Sequence, residues 1–329
     1  MRRKFKTSYD RPPFYIGAGV IKHEMDIEAI VRERNLSAVM LGTYTDNENA
    51  GNSQGGQFNV KHRQEGSDGK LSSAWNSVAF ENPGREKASS YLPDAIKLLH
   101  SKGKLAFVSS TALIGENPMS VLPRLALWGL EMGADAVQLD GSCKNLHPDH
   151  PLICEDVEQT LELGEAVRQE IGYQVPLIYK VSAMPEHTIK NHVHSGIGDY
   201  YDIIEAVNSI GNQLSPINNE TNRPYIEVNQ GFAGQSGAVI RHVARNNLAM
   251  WRLHGMDVMS IGGIDSTAPE NGWEIYTRLH HLGALMVGGA QELVFTDNKA
   301  AVLERWAQQY YETPPNRVLV DSTNRSKNI

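Results

Sequence analysis

The sequence is poor in cysteine, with two thiols, Cys143 and Cys154, in 329 residues. Two thiols cannot build the disulfide framework of a small secreted protein, and they cannot ligate an iron–sulfur cluster. The chain also lacks any apolar run near the ~20 residues that span a bilayer. Its basic start, residues 1–6, is not followed by the apolar segment of a secretory signal. We therefore expect a cytoplasmic protein that does not enter the membrane.

Long runs of like charge are also absent, and the net charge is -7. A nucleic-acid-binding surface and a disordered tail are therefore not the default expectations. Hydrophobic residues make up 40% of the chain, which is enough for a large core. Because no linker or change of composition divides the sequence, we expect one domain over residues 1–329.

Apolar runs alternate with amphipathic stretches through most of the chain. Predicted strands lie at 38–41, 105–108, 136–139, 176–181, 203–207, 258–261 and 284–287. Predicted helices lie at 27–34, 91–101, 121–132, 157–171, 187–194, 238–253, 273–281 and 299–311. This order is typical of an α/β protein with a parallel sheet. Since the number of units approaches eight, we predict a (β/α)8 TIM barrel, with polar excursions near 50–70 and 212–229, rather than a doubly wound sheet with a second domain.

The segment 140–145 presents a carboxylate, a hydroxyl, a thiol, an amine and an amide in six residues, directly after a predicted strand. Reactive groups of a barrel lie in the loops that follow its strands. We therefore interpret Cys143 as a proton-abstracting base. The alternative is a small buried hydrophobe, which is the common fate of a free cysteine. Cys154 follows Leu152 and Ile153, and we interpret it as structural.

Small residues recur after late strands, at Ser236-Gly237, Gly262-Gly263 and Gly288-Gly289. Bare backbone N–H groups at such turns can bind a phosphate, although a tight turn alone is the alternative explanation. Lys180 ends an otherwise apolar strand, and a buried ammonium needs a partner. One possible partner is an acidic side chain that forms a salt bridge with Lys180 at the rim. The other is the negative charge of a reduced flavin.

Six segments resemble, in order, motifs of the dihydroorotate dehydrogenase family. Asn76-Ser77 with Asn82-Pro83-Gly84 resembles the family's N-S-x-G-L-x-N-x-G loop, and residues 140–145 resemble its N-x-S-C-P-N loop. Residues 208–212 are similar to the N-S-I-G-N of the class 1A enzymes, and residues 231–237 to G-F-G-G-x-G-G. The turns at 261–264 and 287–290 resemble the family's two phosphate-binding turns. The resemblance extends from about residue 16 to residue 295.

The resemblance implies a homodimeric barrel that holds FMN and oxidises dihydroorotate to orotate. It implies that Cys143 removes a proton while a hydride passes to flavin N5. Matched by position, the substrate-binding residues are Asn76, Asp140, Asn145, Asn208 and Ser209. The cofactor-binding residues are Ala18, Gly19, Thr43, Lys180, Ser236, Gly237, Gly262, Gly263, Gly288 and Gly289. No metal site is expected. The electron acceptor of class 1A relatives is fumarate, which implies a small fumarate-like acceptor.

Two departures from the family pattern concern the substrate pocket. Gly42 stands where the family has a lysine, and Asp140 stands where it has an asparagine. Losing a cation and gaining a carboxylate disfavour an anionic substrate, because each charge-assisted hydrogen bond contributes roughly 1.5–3 kcal/mol. Lys144 follows the cysteine in place of a proline, and whether it restores the lost charge is left open.

Three hypotheses follow from this pattern. The first is an FMN-dependent oxidoreductase of this family that acts on a different small cyclic amide. The second is a genuine class 1A dihydroorotate dehydrogenase of pyrimidine biosynthesis. The third is a non-catalytic flavin-binding barrel that serves as a partner subunit, which the presence of Cys143, Lys180, Asn145 and Asn208 disfavours.

Overall fold

The computed structural model describes residues 13–54, 56–65, 71–143, 152–268, 270–296 and 298–313. The strands are β1 Phe14–Ile21, β2 Ala38–Tyr44, β3 Lys61–Glu65, β4 Leu71–Asn76, β5 Leu105–Ser110, β6 Ala136–Asp140, β7 Leu177–Val181, β8 Ile203–Ala206, β9 Ile210–Leu214, β10 Ile217–Asn218, β11 Arg223–Pro224, β12 Phe232–Ser236, β13 Asp257–Ile261 and β14 Met286–Gly289. The helices are α1 Glu24–Ile30, α2 Gly84–Ser89, α3 Leu92–Ser101, α4 Pro118–Glu131, α5 Val157–Ile171, α6 Glu186–His194, α7 Ile197–Tyr200, α8 Arg241–Leu253, α9 Asn271–Tyr276, α10 Gln291–Val294 and α11 Lys299–Glu312.

Within the described residues, eight parallel strands close into a barrel in the order β1, β2, β5, β6, β7, β8, β13 and β14. Helices connect most of the successive strands, so the predicted (β/α)8 barrel is confirmed. One barrel strand, β1, was missed by the sequence analysis, because Gly17 and Gly19 interrupt its apolar pattern. Its pairing with β14 on one side and β2 on the other closes the barrel.

The strands are buried on both faces, which explains their continuous apolar runs. Every residue of β2, β6 and β7 is buried. Inward-facing side chains such as Met40, Phe107 and Ile178 pack together in one cluster. A larger cluster lies between the strands and the surrounding helices and includes Leu41, Val137 and Trp251. Helices on the outside and side chains on the inside therefore exclude water from the sheet.

The two predicted excursions meet in a second sheet. Strands β3, β4, β12 and β9 form four antiparallel strands in that order. In this sheet Asn76 pairs with both Lys61 and Gly234. The sheet therefore joins segments that are more than 150 residues apart in the sequence, a pairing that local patterns do not reveal.

Capping residues define where the helices α4 and α5 begin and where α5 ends. Helix α5 begins after Asp156, whose Oδ1 accepts the Gln159 N–H at 3.0 Å, and it ends before Gly172 at a φ of 67°. These bounds are the predicted ones. Helix α4 starts at Pro118, three residues before the predicted start, because the Asn117 side chain caps it. In the described part of the chain, no helix is long and apolar enough to cross a membrane.

Candidate active site

A cavity at the carboxyl end of the barrel strands brings together fourteen of the predicted site residues. The residues that line it are Ala18, Gly19, Thr43, Asn76, Asp140, Cys143, Lys180, Asn208, Ser209, Ser236, Gly237, Gly262, Gly263 and Gly289. They come from the ends of several barrel strands and from the four-stranded sheet. The shared location supports one site, while each residue's binding role stays a prediction.

Two predicted site residues are not among those that line the cavity. Asn145 lies outside the described residues, as does Lys144. Gly288 lies within β14, and a Cβ atom at this position would collide with the Tyr15 ring. The small size of Gly288 therefore serves packing inside the barrel, and its predicted contact with a cofactor stays a prediction.

Asp140 and Lys180 form a buried ion pair. The strands β6 and β7 place these residues side by side in register, and Lys180 Nζ lies 3.0 Å from Asp140 Oδ2. Burial lowers the pKa of Lys180, but the nearby charges of Asp140 and Glu205 more than offset it, so the pKa lies above its ordinary value. Lys180 is therefore an ammonium across the physiological pH range.

A hydrogen-bonded chain extends from this pair to Asn208. The other carboxylate oxygen, Asp140 Oδ1, accepts the Ser142 hydroxyl at 2.7 Å and the Ser142 N–H at 3.1 Å. Asn208 Nδ2 in turn donates to Ser142 Oγ at 2.9 Å, and Asn208 Oδ1 accepts the Ser209 N–H at 2.8 Å. These bonds determine which way the Asn208 amide points.

The two cysteines lie in different environments. Cys143 is partly exposed and lines the cavity, whereas Cys154 is fully buried. Cys154 Sγ accepts the Ser182 N–H at 3.5 Å, and burial raises the pKa of its thiol to about 12. A thiolate is the reactive form of cysteine. Cys143 is therefore the more accessible of the two thiols, and its role as the base stays a prediction.

Glycine turns also line the cavity. Gly237, Gly262 and Gly263 have φ angles of +96°, +90° and +75°, which side chains rarely adopt. A Cβ atom on Gly263 would lie 2.5 Å from Arg241 Cα. The carbonyls of Gly262 and Gly263 accept hydrogen bonds from Arg278 Nη1 at 2.8 Å and Arg241 Nε at 3.0 Å. The turns thus form a cradle that only glycine permits, which fits a phosphate group.

Two cavity lysines, Lys22 and Lys61, were missed by the sequence analysis. Lys22 Nζ donates to the Glu81 carbonyl at 2.7 Å. Burial lowers the pKa of Lys22 to about 8, although the charges of Glu81, Asp26 and Cys143 raise it in part. Lys22 directly follows β1, so recognising that strand would have placed this lysine at the barrel mouth.

The charge balance of the cavity differs from the sequence expectation. The described lining residues include three lysines and one carboxylate, Asp140, which is paired with Lys180. A side chain at Gly42 is excluded, because a Cβ atom there would lie 2.7 Å from the Ser109 carbonyl oxygen. Lys22 and Lys61 therefore add positive charge to the cavity. The sequence analysis considered only the family lysine that Gly42 replaces, and it did not include these two lysines. No group of three or more metal-ligating side chains occurs among the residues described.

The fold is a (β/α)8 barrel, and one cavity brings together glycine turns, a buried lysine and a thiol. A family model described as dihydroorotate dehydrogenase matches residues 3–303. The chain therefore belongs to the dihydroorotate dehydrogenase family, and it is an oxidoreductase of that kind.

A solved structure agrees with this fold. The chain is similar to dihydroorotate dehydrogenase from Eimeria tenella in complex with ferulenol, with a TM-score of 0.68 and 14% sequence identity. The match covers 91% of this chain and 80% of that one. A search of curated proteins found no match.

Proposed function

We propose that this protein is an FMN-dependent oxidoreductase that removes a proton and a hydride from a small cyclic amide. The observation that carries the proposal is the placement of Cys143 in one cavity with Lys180, the glycine cradle and two asparagines. FMN, when bound, supplies the hydride acceptor at N5.

Binding of FMN is assigned to the glycine cradle and to Lys180. Backbone N–H groups of Gly237, Gly262, Gly263 and Gly289 would hold the phosphate, since small residues allow close backbone approach. Lys180 would face the flavin ring with its ammonium. The remaining contacts are assigned to Ala18, Gly19, Ser236 and Thr43, whose Oγ1 lies 3.0 Å from Ser109 Oγ.

Binding of the substrate is assigned to the amides. Asn76, Asn208 and Ser209 offer donors and acceptors that match the alternating N–H and C=O groups of a cyclic amide. Asn145 is assigned the same role from the family resemblance. Cys143 would take the proton, for which it must reach hydrogen-bond distance of the substrate carbon.

Dihydroorotate itself is the second candidate substrate. Lys22 and Lys61 favour it, because they place two further cations at the cavity and dihydroorotate bears a carboxylate. Gly42 and the substitution of asparagine by Asp140 still separate this pocket from the family pattern. From the family alone we also propose a homodimer, a cytoplasmic location and a small fumarate-like acceptor.

Anaerobic reduction tests the proposal. The purified protein should bind FMN and show yellow absorbance, and a barrel that binds none contradicts the proposal. The FMN-loaded protein is then mixed without oxygen with dihydroorotate or with the uncharged dihydrouracil. Rapid bleaching by dihydroorotate alone identifies the second candidate, and bleaching by the uncharged ring supports an altered substrate. Bound FMN that neither these nor other cyclic amides reduce identifies a non-catalytic barrel.

A further inference from the structure

We propose that Asp140 is a positioning residue that holds the Lys180 ammonium and the Asn208 amide in one hydrogen-bonded chain and lowers the reduction potential of the bound flavin. The proposal rests on FMN binding as described under Proposed function. It assigns to Asp140 a task other than direct contact with the substrate.

Both carboxylate oxygens of Asp140 already have partners inside the protein. Oδ2 contacts Lys180 Nζ at 3.0 Å, and Oδ1 accepts from the N–H and the hydroxyl of Ser142. The Asp140 and Lys180 side chains are 1% and 8% exposed, so water screens their attraction little. Asp140 is therefore directed at the lysine and the loop backbone.

Ser142 transmits the position of Asp140 to Asn208. Its hydroxyl donates to Asp140 and accepts from Asn208 Nδ2 at 2.9 Å. A hydroxyl has one donor and two acceptor sites, so both bonds form at once. The chain from Lys180 through Asp140 and Ser142 to Asn208 thus joins a predicted cofactor ligand to a predicted substrate ligand.

The charge of Asp140 acts on the flavin through Lys180. Reduction places negative charge on the flavin ring, and an unpaired ammonium beside it would favour the reduced form. A carboxylate 3.0 Å from that ammonium cancels much of its field. Glu205 is the other nearby acid. It lies on β8, where it pairs in register with Lys180 of β7. Burial raises the pKa of Glu205, although Lys180 lowers it in part, and Asp140 is the acid that contacts the ammonium.

The Asp140→Asn variant separates charge from hydrogen bonding. Asparagine keeps an oxygen that accepts from Ser142 but carries no charge. We expect the equilibrium between reduced and oxidised flavin to shift at least about tenfold towards the reduced form, which is about 30 mV for a two-electron couple. Asp135→Asn is the matched control. Asp140 ends strand β6, whereas Asp135 directly precedes this strand at its other end, where it accepts from the Ala106 N–H at 2.8 Å.

The Ser142→Ala variant breaks the chain on the other side. It should raise the KM about tenfold, since Asn208 loses one bond that orients it, while the flavin potential stays at the wild-type value. The proposal is overturned if Asp140→Asn leaves the potential unchanged or lowers it. It is equally overturned if Ser142→Ala shifts the potential as far as Asp140→Asn does.

A measurement without flavin distinguishes this proposal from the proposed function. The pKa of Lys180 can be followed by NMR of labelled lysine side chains in the flavin-free protein, and it should fall in Asp140→Asn. An unchanged Lys180 titration overturns the pairing itself. A wild-type protein that shows the expected titration but binds no FMN contradicts the proposed function and the flavin effect, and it leaves the pairing established.

Discussion

Arg278 Nε donates to Glu274 Oε1 at 2.8 Å, and both side chains are almost completely buried. The same guanidinium donates from Nη1 to the Gly262 carbonyl at 2.8 Å. The arginine of this buried ion pair therefore also holds the Gly262 turn of the glycine cradle through a hydrogen bond. The stability of the barrel and the shape of the proposed cofactor site therefore depend on the same contact.

Replacing Arg278 by methionine should destabilise the protein by about 3 kcal/mol, because Glu274 loses its closer partner and keeps only Arg245, at 3.4 Å, while the Gly262 carbonyl loses its donor. The free energy of unfolding in urea measures this. Lys97→Met is the control, since Lys97 pairs with Asp94 at 3.2 Å on the surface, with side chains 76% and 86% exposed. That change should stay within about 0.5 kcal/mol. Equal losses in the two variants would contradict the assigned role.

Cys143→Ser should slow flavin reduction by the substrate at least about 100-fold while FMN stays bound, because a hydroxyl is a far weaker base than a thiolate. Stopped-flow absorbance measures the rate. Cys154→Ser is the matched control and should leave the rate unchanged. In the native protein, iodoacetamide should modify Cys143 and spare the buried Cys154, whose pKa is about 12. A reduction rate unaffected by Cys143→Ser would show that another group is the base.

Gly263→Ala should weaken FMN binding about tenfold or more, because its Cβ would lie 2.5 Å from Arg241 Cα and force the turn to move. Fluorescence titration of the apoprotein with FMN measures the affinity. Gly255→Ala is the control, since Gly255 has a φ of +88° and no atom within 4 Å of the added Cβ. It should cost about 1–2 kcal/mol of stability from backbone strain and leave FMN affinity intact. Equal affinities in both variants would argue against the cradle.

Binding of an anionic ligand should depend on the protonation of Lys22. Its pKa is about 8, so its ammonium is present below pH 8 and is lost as the pH rises through that value. The affinity of the FMN-loaded protein for orotate should therefore fall about tenfold or more between pH 7 and pH 9, whereas that for uracil should change less. Lys22→Met should remove the additional pH dependence of orotate binding. An orotate affinity with the same pH profile in both proteins would exclude Lys22 from anion binding.

Part of this structure was predictable from local patterns. Helix α5 matches its predicted bounds, because an apolar stripe, an aspartate cap and a terminal glycine all agree. Strand β1 was not predictable in the same way, since two glycines weaken its apolar pattern. One of its two pairing partners, β14, lies at the other end of the chain. The sheet of β3, β4, β12 and β9 depends on pairing between distant segments, so no local pattern indicates it.

The sequence by itself indicated the barrel and the grouping of Cys143, Lys180 and Asn208 at one end, because periodicity and the residues at strand ends are local properties. It indicated the family through the resemblance of its motifs. Only the tertiary structure decided the charge of the pocket. It placed Lys22 and Lys61 at the cavity and directed Asp140 to Lys180. Electrostatic energy depends on distance and burial, and both are set by strand order and register between residues that are far apart in the chain.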